Sequence, residues 1–336
     1  MSKKSILIIV ALISILIGGG LFVIGMSLNN WNFANLDNSK YVTNTYELEE
    51  DFINFDIDTD TADIELIEST ENKIEIFDKE EALYTVKVEE STLKITLNNT
   101  INHINFFNFK TPKISIYLSN VNYELLDIKE DTGDIRIPTD FSFKNVNIDL
   151  NTGDTYLNCK VTDSISIKTD TGYTSLNGIE TNSINISSST GDITLKEITV
   201  KNIKIIIDTG RVKLTSVLSE NIDVKLSTGD LIIENVGCLT SFVSKASTGD
   251  MKATSLKVGG KLHVERNTGD VNLKEVLAGE IYIKTSTGRV TLSVLESMVF
   301  YTKTNTGDVD VPKSTTGNLC EIYTDTGDIK VTILSK

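Results

Sequence analysis

Proline is almost missing from this 336-residue chain, at three residues, as are tryptophan, at one, and histidine, at two. So little proline leaves a backbone N–H free to donate nearly everywhere, as long strand ladders require. The two histidines, His103 and His263, do not complete a zinc ligand set with the three cysteines. No nucleophile elbow, phosphate loop or dinucleotide fingerprint is present either, which points away from an enzyme. Basic charge is also short: the formal net charge is −15, without the clustered Lys and Arg that neutralising phosphates demands, which excludes nucleic acid as a partner.

The cysteines are Cys159, Cys238 and Cys320. None follows an apolar leader, so a lipid-modified N-terminal cysteine is excluded. At least one must stay unpaired. The repeat spacing given below puts Cys159 and Cys238, and Cys238 and Cys320, about four layers or 19 Å apart, beyond disulfide reach. No disulfide is expected.

What the chain does have is one long apolar run and one short unit repeated many times. Ser5 to Leu28 carries no charge and follows Lys3 and Lys4. It is longer than a signal-peptide core and lacks a small-residue cleavage site, so it reads as an uncleaved transmembrane helix with its N-terminus in the cytoplasm. The expected division is a cytoplasmic tail (1–4), a transmembrane helix (5–28), a stalk (29–45), a degenerate β-repeat cap (46–120) and a repeat array (121–336).

The array writes x-T-G-x eleven times, with turn glycines at Gly133, Gly153, Gly172, Gly191, Gly210, Gly229, Gly249, Gly269, Gly288, Gly307 and Gly327, every spacing being 19 or 20 residues. Seven residues before each glycine and four after it the residue is apolar, from Leu126 and Ile137 in the first copy to Cys320 and Val331 in the last. Alternation on both sides of a glycine turn means strand, turn, strand, each burying one face. The expected fold is all-β: a parallel β-solenoid of 19–20 residue rungs, two strands per rung, preceded by one transmembrane helix. The threonine before each glycine stacks rung on rung.

After most of the glycines stands an aspartate, including Asp192, Asp230, Asp250, Asp270, Asp308 and Asp328, with Tyr173, Arg211 and Arg289 as exceptions. Stacked carboxylates repel one another and attract cations, which makes Ca²⁺ or a cationic polymer a candidate ligand, set against solvated turn aspartates. Rungs without long inserted loops offer no groove walls, which disfavours a polysaccharide-active β-helix enzyme.

The eleven in-phase units, such as Asp131-Thr132-Gly133-Asp134 and Ser227-Thr228-Gly229-Asp230, together with the N-terminal apolar run, resemble the bacterial β-strand-repeat family of "putative adhesins". The resemblance covers Asp51 to Ile333. It implies an envelope protein, supplies no catalytic residues, and names no ligand. Upstream, Asp60-Thr61-Ala62-Asp63 matches the repeat with Ala62 in place of glycine, while Phe106, Phe107 and Phe109 interrupt the pattern. The expected function is a non-enzymatic, membrane-anchored scaffold or binding module outside the cell membrane, with an envelope protein or a surface glycan as partner.

Overall fold

The computed structural model describes residues 3–28, 30–31, 40–99 and 110–334. His103, the Phe106, Phe107 and Phe109 segment and most of the 29–45 stalk lie outside them. The apolar run forms one helix, Lys3–Leu28, of which Ala11–Leu28 is long and apolar enough to cross a membrane. The other regular elements among the described residues are strands, hydrogen-bonded into a single continuous sheet that winds into a parallel β-solenoid.

Residues one repeat apart lie side by side. Leu214 pairs with Leu195 and Ile233, and Ile222 with Ile203 and Phe242, in parallel register. The inward residues of the rung opened by Gly210 are Val212, Leu214, Val217, Ser219, Ile222, Val224 and Leu226. Because each is covered by the same columns above and below, burial worth about 2 kcal/mol per large side chain is realised only on stacking.

The expected two strands per rung are seen in the first rungs, as in Ser142–Thr152 with Thr155–Leu157. From Ile193 to Thr287 each rung is one strand, as in Ile193–Thr209. Its burial alternation slips twice, at Lys196-Glu197 and at Lys201-Asn202, each time leaving two exposed residues in a row. The rung is therefore three-sided. The first corner is a column of left-handed residues, Gly178, Glu197, Ser216, Asn235, Ser255 and Glu275. The second follows three residues later, and the T-G turn is the third.

The N-terminal end is closed by strands running against the stack. Asn54–Thr61 and Asp63–Glu68 form a first rung, paired in parallel with residues 125–132 and 135–136, with Ala62 at the turn. On that rung lie Thr92–Leu97 and Lys113–Leu118. Tyr84–Glu89, Lys73–Lys79 and Tyr41–Glu47 then add antiparallel. Phe52, Phe55, Tyr123 and Phe143 fill the interior of this end, with ring centroids 4.8–6.1 Å apart.

The C-terminal end departs from chain order. Asn318–Thr326 pairs with residues 281–287 on one side and with Met298–Thr306 on the other. Ile329–Ile333 likewise lies between Val290–Val294 and Val309–Asp310. The last repeat is thus inserted beneath the tenth, and the turn glycines stack as Gly269, Gly288, Gly327, Gly307.

Candidate functional site

Two features compete for the site, and the turn column comes first because the sequence singles it out. Gly229 has φ +144°, and a Cβ there would fall 1.7 Å from the carbonyl oxygen of Gly210. Only glycine allows this approach. The bend breaks the backbone ladder for one amide, and the aspartate repairs it. Asp230 Oδ1 accepts from the Asp250 N–H at 2.9 Å, Asp250 from Asp270 at 2.9 Å and Asp270 from Arg289 at 2.7 Å. Asp192 receives the Arg211 N–H at 2.8 Å, and Asp328 the Asp308 N–H at 3.1 Å. Asp308, on the outermost turn, has no further rung to hold.

The second oxygens face solvent, and the arginines of the column relieve them loosely, Arg211 at 3.9 Å from Asp192 and Arg289 at 3.6 Å from Asp328. Among the described residues no three His, Cys, Asp or Glu side chains come together in a way that could hold a metal ion. In four pairs of rungs the residues two before the glycines bond each other, as Asn151 Nδ2 donating to Asp131 at 2.7 Å and Ser227 to Asp208 at 3.2 Å show.

Among the described residues, buried titratable groups such as Glu130, Arg266 and the three cysteines lie in separate places along the core. Glu130 accepts hydrogen bonds from Thr59 and from the Ala62 N–H, yet burial pushes its carboxyl up to about 8. Arg266 donates to Ser244 Oγ at 2.9 Å and to the Glu265 carbonyl at 3.0 Å, and burial draws it down to about 10. Cys159, Cys238 and Cys320 are all buried as free thiols, with Cys159 and Cys320 pushed up to about 12 by desolvation. His263 stacks on Tyr282 at 4.8 Å and bonds Glu265 at 2.7 Å on an outer strand face.

The second feature is a groove of about 1180 Å³ along the second side and its far corner. The expectation that regular rungs leave no groove walls is corrected here, since the stacked rungs themselves line the groove. The inward column on that side runs Tyr123, Phe143, Val161 and later Val200, Ser219, Cys238, Val258, Ala278 in register. Rings fill this column in the first rungs, and smaller side chains fill it beside the groove.

The groove floor is apolar and partly bare. Leu218 and Leu239 are 60% and 72% exposed, and Leu277, Ala278, Gly237, Gly259 and Gly279 complete its middle. The glycines are imposed by packing: a Cβ on Gly259 would lie 2.3 Å from the Leu239 carbonyl oxygen, and one on Gly279 would lie 2.6 Å from that of Gly259. Lys160, Glu180, Lys201 and Glu220 border one end and Glu296 the other, while Lys257 stands within the groove, in register between Gly237 and Leu277. The sequence held part of this signal in Gly237, Gly259 and Gly279 lying half a period from the turn glycines, but a third side could not be told from a loose second turn.

The family profile described as Toastrack DUF4097 matches residues 52–162 and 156–332, nearly the whole solenoid. The chain belongs to the Toastrack family. The chain is also similar, at low identity, to solved bacterial structures. A "putative adhesin" of Bacteroides fragilis is 18% identical, with 74% of this chain and 97% of that chain covered and a TM-score of 0.40. One of Parabacteroides merdae is 13% identical, with the same coverage and a TM-score of 0.46. A "putative lipid binding protein" of Parabacteroides distasonis is 14% identical over 89% of this chain and 98% of that chain, with a TM-score of 0.36. No curated protein matches this Toastrack chain.

Proposed function

We propose that this Toastrack protein is a non-enzymatic binding module, held outside the cell membrane by its N-terminal helix, that engages its partner along the second-side groove. The observation that carries the reading is the exposure of Leu218 and Leu239 together above a glycine floor, on a solenoid whose other faces carry many rung-to-rung charge pairs. Examples are the rung-to-rung pairs Lys213–Glu234, Lys245–Glu265 and Lys261–Glu280, at 3.2, 2.9 and 2.6 Å. Contiguous exposed apolar surface of this kind marks an interaction site more often than a solvated face. On this reading the aspartate column is structural: Asp192, Asp230, Asp250, Asp270 and Asp328 each give one oxygen to the rung beside them.

The test is retention of envelope material on immobilised residues 40–336, with the Leu218→Asp/Leu239→Asp variant compared with Asp230→Asn/Asp250→Asn. Saturable retention lost in the leucine variant and kept in the aspartate variant is the expected result. The opposite pattern would move the site to the acidic edge.

A further inference from the structure

We infer that the groove holds the acyl chain of a membrane amphiphile bearing a zwitterionic headgroup; this deepens the binding-module reading and rests on it.

The argument begins with the groove's dimensions. Its lining spans the rungs from Lys160 to Glu296, about 35 Å at the strand spacing. Within it the mainly apolar path from Leu218 through Leu239 and Gly259 to Gly279 crosses four rungs, about 15 Å. That matches the acyl length of one bilayer leaflet, half of a hydrocarbon core about 30 Å thick. The exposed Lys257 stands beside the path between Gly237 and Leu277, its stem lying along the path and its ammonium in solvent.

The lining then narrows the chemistry. No aromatic side chain lines the groove, so it offers no ring face on which a sugar could stack. The strands beneath it are paired on both edges, Leu218 with Thr199 and Gly237, Lys257 with Gly237 and Leu277, so it offers no free N–H or C=O row for strand addition by a peptide. What remains is a thin apolar trough. Leu218 leans over Gly237, its Cδ2 lying 2.8 Å from where a Cβ would be, and the bare backbone at Gly259 and Gly279 lets an unbranched chain lie close.

The rim specifies the headgroup. Lys160, Glu180, Lys201 and Glu220 alternate in sign beside the apolar stretch, and none of them takes part in any of the ion pairs formed among the described residues. An anionic head would meet Glu180 and Glu220, a cationic one Lys160 and Lys201. A head carrying both charges can meet one lysine and one glutamate of the rim at once. The N-terminal helix, apolar enough to enter a bilayer, supplies the proximity.

The experiment uses the full chain in phosphatidylethanolamine vesicles doped with lysophosphatidylethanolamine carrying a photoreactive acyl chain, with adducts located by peptide mass spectrometry. Labelling is expected on the helix Lys3–Leu28 and on peptides containing Leu218, Leu239 and Leu277. Leu218→Asp/Leu239→Asp and the groove-filling Gly237→Leu should each cut groove labelling about tenfold and leave helix labelling unchanged. Leu218→Ile/Leu239→Ile should keep it, which separates loss of the site from loss of the fold. Label confined to the helix, or groove label indifferent to both changes, overturns the inference. A photoreactive fatty acid, lacking the cationic group, should label the groove several-fold less; equal labelling overturns the headgroup assignment. Envelope retention that needs Leu218 and Leu239 without any lipid adduct removes the acyl chain and leaves the binding module. Loss of both removes both.

Discussion

At the scale of the residue, the turn divides its work between a glycine that permits the close approach and an aspartate that restores the missing acceptor. Gly229→Ala must relieve both a φ of +144° and a collision with backbone, so it should cost about 3 kcal/mol or more in urea-induced unfolding, while an Ala at an exposed strand position costs little. Asp250→Ala removes the acceptor of the Asp270 N–H and should cost about 1 kcal/mol, with Asp250→Asn, which still accepts, costing less. Glu130 sets a pH dependence. Its folded carboxyl, raised to about 8 by burial, holds a proton that the unfolded chain has released, so its contribution is fully present below about pH 4.5 and falls as pH rises toward 8. Glu130→Gln should flatten that decline, worth a few kcal/mol at most, as read from urea midpoints at pH 5 and pH 8.5.

At the scale of the element, the eleven glycines and their flanking apolar columns made the rungs legible from sequence, because side-chain period and turn chemistry are both local. The order of the last rungs was not legible. The spacings from Gly288 to Gly307 and on to Gly327 are 19 and 20, like all the others, so nothing in them reports that Asn318–Thr326 slips beneath Met298–Thr306. The one local hint is Pro312 to Gly317, which lacks apolar alternation and forms no strand. Phe300 holds the outer position, and Cys320 the inner one against Ile281. Deleting the 20 residues from Met298 to Gly317 puts Cys320 in the chain position of Phe300, in register for direct stacking on Ile281. The shortened chain should fold cooperatively with its remaining strand content, whereas truncation before Asn318 should strip the outer strands of their partner and lower the melting temperature. Circular dichroism melts of the two chains check this.

At the scale of the whole molecule, the solenoid is closed at one end by antiparallel strands and aromatic packing and marked along one side by the groove. The acidic edge was plain in the sequence because its residues recur in phase. The groove was not, since Leu218, Leu239, Gly259 and Gly279, which line it, come together only once the rungs are stacked. The measurement closest to the central claim is oxidative footprinting of the full chain in its native membrane and after detergent stripping. Leu218 and Leu239, 60% and 72% exposed, should be oxidised several-fold less in the membrane, while Tyr301, 60% exposed and outside the groove, reacts equally in both. Equal oxidation of the two leucines in both states would contradict the account.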